Sequence, residues 1–121
     1  MKVFNYRDVP GVRIRSRSLM RWLITEDDGA ENFVMRLVEV KPGDERTPHI
    51  HPWEHEIFVL KGKGIVKDED KEIEFGAGDV IFIPPNEPHE FINVGDEDLV
   101  FLCMIPAGVN LKEIKTLPKQ K

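Results

Sequence analysis

An all-β barrel or sandwich is the fold class this sequence predicts, on three observations. Apolar, β-branched and aromatic runs of roughly four to eight residues return about every 8–12 residues. Glycine and proline, nine of each, fall between those runs and break them. No stretch sustains a helical period of apolar residues. The 121 residues suit one domain. The expected organisation is a single unit over 1–121, with N-terminal strands or an arm over 1–24, the barrel over 33–105 and a C-terminal segment over 110–121.

Taken in order, residues 1–8 are an arm or edge strand, and Pro10-Gly11 is a turn. Val12 to Ile24 is extended, with Ser16 and Ser18 dividing it into two short strands. Glu26 to Asn32 is an acidic loop. Phe33 to Val40 is a strand with Phe33, Met35 and Leu37 on one face and Val34, Arg36, Val38 and Val40 on the other. Glu56 to Leu60 is the next strand, and Gly62 and Gly64 flank a tight turn. Ile65–Lys67 and Lys71–Phe75 form a hairpin around Asp68-Glu69-Asp70. Val80–Ile83, His89–Val94 and Leu99–Ile105 complete the strands. A short helix is expected over Asn110–Leu117, and a loose basic tail from Pro118 onward.

Composition narrows the function. Cys103 is the single cysteine, so no internal disulfide can form, which fits a reducing, cytoplasmic setting. The N-terminus is charged too early for a secretory signal, and no apolar run reaches membrane-spanning length. A net charge of −5 opposes binding to nucleic acid. Arg13, Arg15, Arg17 and Arg21 read as the solvated face of an edge strand, where charge discourages pairing with other chains. A charged fraction of 32% with one glutamine points to a thermophilic source.

The chemistry lies in the histidines. Three of the four stand in Pro48-His49-Ile50-His51-Pro52-Trp53-Glu54-His55, and the fourth, His89, follows Pro84-Pro85-Asn86-Glu87-Pro88. Alternation on a strand points His49 and His51 the same way, and His55 keeps that parity beyond the Pro52-Trp53 bend. Three ligands from one segment and one from a distant strand enclose an ion without depending on one flexible loop. Neutral imidazole suits zinc, copper, iron and nickel, and also occurs in manganese sites. Burying an unpaired imidazole is costly, which opposes a converging cluster with nothing to bind. Protonated imidazole cannot ligate, so acidification through about pH 6 is expected to release the metal.

The spacing resembles a known family. Gly43, His49-x-His51, His55 and Gly62 are similar to the first cupin motif, and Gly78, Pro84, Asn86, His89 and Asn93 to the second. The resemblance covers residues 43–93 and implies a double-stranded β-helix, the cupin jelly-roll barrel. Two positions depart from the pattern. His55 stands where the first motif carries glutamate; reading Glu56 as that glutamate would displace the following glycine by one. Asn86 replaces a glycine, and asparagine tolerates a left-handed backbone. The chain looks like the small four-histidine cupins of thermophiles, which implies a divalent metal, manganese first and iron next, with zinc, nickel and copper open.

Four neutral histidines leave such an ion its full charge and, in six-coordination, two further positions for a small, anionic substrate or oxygen. By parity Ile57, Val59, Phe91, Asn93, Phe101, Cys103 and Ile105 face inward, and Arg36, Phe91, Phe101 and Cys103 line the pocket. Arg36 either holds an anion or snorkels outward. Glu54 and Glu56 face solvent or accept an imidazole proton, and no side chain is assigned as a catalytic base. The expected function is a metal-dependent oxidoreductase of dioxygenase type on a small organic molecule. The alternatives are a lyase or isomerase using Lewis-acid chemistry and a non-catalytic small-molecule binding protein. A homodimer is expected from the family's habit, through an N-terminal segment bearing Val3, Phe4 and Tyr6.

Overall fold

The structure is a computed structural model and describes residues 1–44 and 47–118. Among them the strands are β1 (Val12–Arg13), β2 (Leu19–Ile24), β3 (Phe33–Val40), β4 (His49–Ile50), β5 (His55–Lys61), β6 (Lys63–Lys67), β7 (Glu72–Gly76), β8 (Val80–Ile83), β9 (Glu90–Asn93), β10 (Leu99–Pro106) and β11 (Lys115–Thr116). The only helical elements described are three single 3₁₀ turns. A six-stranded sheet runs β1-β2-β3-β10-β5-β8, a three-stranded sheet runs β7-β6-β9, and β11 pairs with β4. The long return of β10 to lie antiparallel between β3 and β5 gives the jelly roll.

The core follows from alternation. Val34, Val38 and Val40 on β3, Ile57 and Val59 on β5, Leu99, Phe101, Cys103 and Ile105 on β10, and Phe91 on β9 turn inward into one apolar cluster. Full burial of each large side chain stabilises the fold by about 1.5–3 kcal/mol. Asn93 is also buried, and its amide donates to the Val40 and Glu97 carbonyls, each at 2.8 Å, so it ties strands together. The break between β1 and β2 has a cause as well. Ser18 is buried, and Asp44 accepts from its backbone N–H at 2.9 Å and its hydroxyl at 2.5 Å.

Several expectations change. Asn110–Leu117 does not form a helix: Leu111–Glu113 makes one 3₁₀ turn capped by Asn110. The chain then gains backbone hydrogen bonds by pairing Lys115 with Ile50 and Thr116 with His49, and a single free-standing turn has too little to stabilise it as an α-helix. Gly64 lies within β6 rather than at a turn. The acidic loop contains a 3₁₀ turn over Glu26–Asp28 with a Thr25–Asp28 capping box. Residues 6–8 form a 3₁₀ turn and not a strand. Of the expected basic tail, everything after Pro118 lies outside the described residues.

Gly62 is positioned by necessity. Its φ is +85°, and a Cβ there would stand 2.6 Å from the Asp98 carbonyl oxygen and 2.9 Å from Leu99 Cα. Both obstacles are backbone. Gly62→Ala is therefore expected to lose about 2–4 kcal/mol of stability, from left-handed strain plus overpacking. Urea unfolding measures it, and a loss below about 0.5 kcal/mol would contradict this account.

Candidate metal centre

Backbone pairing brings the two histidine segments together. His49 donates its N–H to the His89 carbonyl at 3.0 Å, and His89 donates back to the His49 carbonyl at 3.0 Å. This antiparallel bridge sets the rings side by side, with centroids 4.3 Å apart. Asn86, with φ +62°, donates its N–H to the His51 carbonyl at 2.9 Å. The left-handed turn of the second segment thus holds the first. His55 opens β5 opposite Ile83 of β8. One nitrogen from each of His49, His51, His55 and His89 lies within 4.8 Å of the others.

The far nitrogens fix which atoms converge. The Nδ1 of His49, His51 and His89 lie 2.9, 2.9 and 2.8 Å from the carbonyl oxygens of Thr47, Trp53 and Glu87. A carbonyl can only accept, so each Nδ1 carries the proton and each Nε2 a lone pair. Neither Glu54 nor Glu56 serves as the acceptor. Trp53 also stacks on His51, with centroids 4.4 Å apart and planes at 12°.

His55 is held differently. Its Nδ1 lies 2.9 Å from Cys103 Sγ and 3.4 Å from Arg36 Nη2, and Arg36 Nη2 donates to the same sulfur at 3.0 Å. Accepting from Arg36 leaves the proton on His55 Nε2, where it can bridge to His51 Nε2 at 2.8 Å. Donating to Cys103 frees that Nε2 lone pair instead. The sulfur is the acceptor that lets a fourth imidazole present nitrogen to an ion.

The donor set fits a divalent transition metal. Two nitrogens about 2.1 Å from one ion and at right angles around it stand about 3 Å apart, comparable to the 2.8 Å between the Nε2 atoms of His51 and His55. His89 Nε2 is buried without a hydrogen-bond partner, which a ligated ion would resolve.

Electrostatics hold the rings neutral. Burial, then the charge of His49, brings His51 down to about 4. Burial, then His49, brings His89 down to about 3. Burial, followed by the charges of His89 and Arg36, lowers His55 further, and burial also lowers His49.

The rings face a cavity of about 340 Å³ that Arg36, Phe91, Phe101 and Cys103 all line. Arg15, Met20, Trp53, Ile114 and Thr116 border it as well. Arg15 donates to the Phe91 carbonyl at 3.1 Å. Of its neighbours, Arg13 on the edge strand β1 and Arg17 are exposed, as expected, although Arg17 donates to the Pro42 carbonyl; Arg21 is half-buried and donates to Glu39 at 2.9 Å and to the Val9 carbonyl at 2.6 Å. Nothing in their run distinguishes Arg15; its cavity position depends on packing against β9. Arg36 does not snorkel. It is 6% exposed, its guanidinium lies 5.3 Å from the Trp22 ring, and its Nε has no partner. No ion pair to Arg36 occurs among the described residues. Glu56 points to the opposite face of the sheet, where burial and then hydrogen bonding to Glu54 push its carboxyl up to about 7.

Comparisons with known proteins agree with this geometry. The family described as a cupin domain matches residues 36–105. An oxalate-binding protein of Thermotoga maritima is 38% identical over 69 residues, 56% of this chain and 57% of that protein. The matched region is thus little more than half of that relative. The structure of the polyketide cyclase RemF from Streptomyces resistomycificus superposes with a TM-score of 0.86 at 34% identity, covering 100% of this chain and 88% of that one. A predicted oxalate decarboxylase from Thermotoga maritima superposes with a TM-score of 0.76 at 27% identity, covering 88% of this chain and 99% of that one. Among the described residues, no helix is long and apolar enough to cross a membrane.

Proposed function

The chain belongs to the cupin family, and on that premise we propose that it is a divalent-metal enzyme acting on a small anionic oxygen compound, a carboxylate or an enolate. The observation that carries this reading is Arg36. A buried guanidinium without a counter-charge is costly, and this one shares its cavity with four converging imidazoles. An anion seated between the imidazole cluster and Arg36 would satisfy both.

His49, His51, His55 and His89 would hold the ion. When bound, it would polarise an oxygen of the substrate and stabilise developing negative charge. Arg36 would orient the anion, its planar fork matching a carboxylate. Trp53, Phe91 and Phe101 keep the cavity apolar around that contact, which strengthens it by lowering the local dielectric. Manganese is placed first and iron second, as the family resemblance implies; the nitrogen set accepts zinc, nickel or copper too, so cellular supply decides.

Lewis-acid chemistry, of lyase, isomerase or cyclase type, is the reading we favour. The names of the relatives support it: oxalate is a small dianion, and a polyketide is a chain of enolisable carbonyls. The dioxygenase-type oxidoreductase is the second reading, supported by a neutral ligand set that leaves an ion positions for both substrate and oxygen. Oxygen uptake in step with turnover would select it. Tight binding without turnover would instead make the protein a binding module.

The test uses oxalate as probe in titration calorimetry of metal-loaded protein. Arg36→Met keeps the side-chain stem and removes the charge. It is expected to weaken oxalate binding about 100-fold, the loss of one charge-assisted contact in a buried site, with metal content unchanged. Equal affinity in the variant would remove Arg36 from the site.

A further inference from the structure

We infer that the substrate carries an apolar body, a ring in size, behind its anionic head, and that Ile14, Met20 and Ile114 select for it. The inference rests on the reading that the imidazole cluster and Arg36 seat an anion, and it assigns an occupant to the rest of the cavity.

The strands build the cavity wall in rows. Residues opposite one another on neighbouring strands share a face, and so do residues two apart on one strand. One row across β2, β3 and β10 is Trp22, Arg36 and Cys103. The next row on that face is Met20, Val38 and Phe101. Two residues along a strand span about 7 Å. The first row holds the guanidinium and the sulfur beside His55. In the second, the thioether of Met20 is the one side-chain acceptor, and a weak one. It lies 3.6 Å from Arg36 Nη1, where the two rows meet. An anion on Arg36 therefore has an apolar wall one short step away.

That wall continues beyond the sheet. Phe91 packs on Phe101 with centroids 5.2 Å apart. Ile14 and Ile114 border the same cavity. Ile14 is held by its N–H to the Ser18 carbonyl at 3.1 Å, and Ile114 closes a 3₁₀ turn by donating to the Leu111 carbonyl at 3.2 Å. Ile114 is still 39% exposed, so a ligand against it would take apolar surface out of water. Arg15 also borders the cavity, tied to the Phe91 carbonyl at 3.1 Å. A guanidinium is weakly hydrated and stacks on aromatic faces, which suits a ring beside it.

Size agrees. The cavity of about 340 Å³ has the volume of about eleven waters at roughly 30 Å³ each. Oxalate, two carboxylates joined directly, would reach little past the first row. Ligand sites are mostly apolar, with a few polar groups that fix orientation, and here the imidazoles and Arg36 gather those groups at one end. Ile14, Met20 and Ile114 all lie outside residues 36–105, the stretch matched to the family. They are thus placed to set which acid this chain takes, separately from the metal ligands.

Titration calorimetry on the manganese-loaded full chain decides it, with glycolate and mandelate as probes. The two share a 2-hydroxy acid head and differ by a phenyl ring. Mandelate is expected to bind at least about 10-fold tighter, the gain from burying an aromatic ring, with a more negative heat-capacity change. Met20→Gln and Ile114→Gln put an amide in the apolar wall, and each is expected to shrink the mandelate-to-glycolate affinity ratio at least about threefold. Ile14→Gln serves if Met20→Gln fails to fold. Equal affinity for the two acids would overturn the inference and leave the anion site at Arg36 standing. A ratio undiminished in every variant would place the ring elsewhere and overturn it as well. Binding of neither acid would remove the anion site itself, and the inference with it.

Discussion

Replacing His89 with alanine is expected to lower metal affinity at least about 100-fold, more than the loss of an outer partner of a ligand costs. His89 is the one candidate ligand from the second segment, and its register is fixed by two reciprocal backbone bonds with His49. Truncation keeps that bridge, since only the ring is lost. The remaining three imidazoles would have to share the ion with water or substrate. His51→Ala should match it, because His51 Nε2 lies 2.8 Å from His55 Nε2 at the heart of the cluster. Elemental analysis after dialysis against manganese reads the result, and metal content equal to the wild type in both variants would reject a four-ligand centre.

Acid is expected to destabilise the metal-free protein from about pH 6.5 downward and to release metal well below pH 6. An exposed histidine titrates near 6.5, whereas burial holds His51 at about 4 and His89 at about 3, with His49 and His55 also lowered. Between those limits the unfolded chain binds protons that the folded chain refuses. Stability is therefore complete above about 6.5 and falls as pH drops, by up to about 1.4 kcal/mol per unit for each imidazole involved. Glu56 acts in the opposite sense: its folded carboxyl, at about 7, holds a proton that the unfolded chain releases. One carboxyl stands against four imidazoles, so the net slope remains positive. For the metal, neutral imidazole persists in the folded site to lower pH than a free ring allows, which moves release below the value expected from the residue type alone. Thermal melts of chelator-treated protein from pH 7.5 to 4.5 test the first part, and a flat Tm across that range would refute it. Metal retention across the same series tests the second.

Much of the site was legible because its determinants are local. Alternation put Arg36 with Val34 and Val38 and grouped Phe101, Cys103 and Ile105, and all of them turn inward. Asn86 was expected in a left-handed turn and has φ +62°. Arg15 was misread, because its place in the cavity depends on β9, reached through its bond to Phe91, 76 residues away. The C-terminal segment was misread for a similar reason: a β11 of two residues exists only because β4 offers it an edge.

By itself the sequence determined most of the barrel strands between residues 33 and 105, their alternating faces and the four histidines, since a period of two and the punctuation by glycine and proline act over a few residues. Only the tertiary structure decided what each face meets. The sulfur of Cys103 behind His55, the buried guanidinium of Arg36 in the cavity and the exposed rows around Phe58 and Phe82 all come from register between strands distant in the chain. Register is set by ladders of backbone hydrogen bonds and by close packing, and every residue shares that backbone, so no local pattern of side chains can specify which strands will pair.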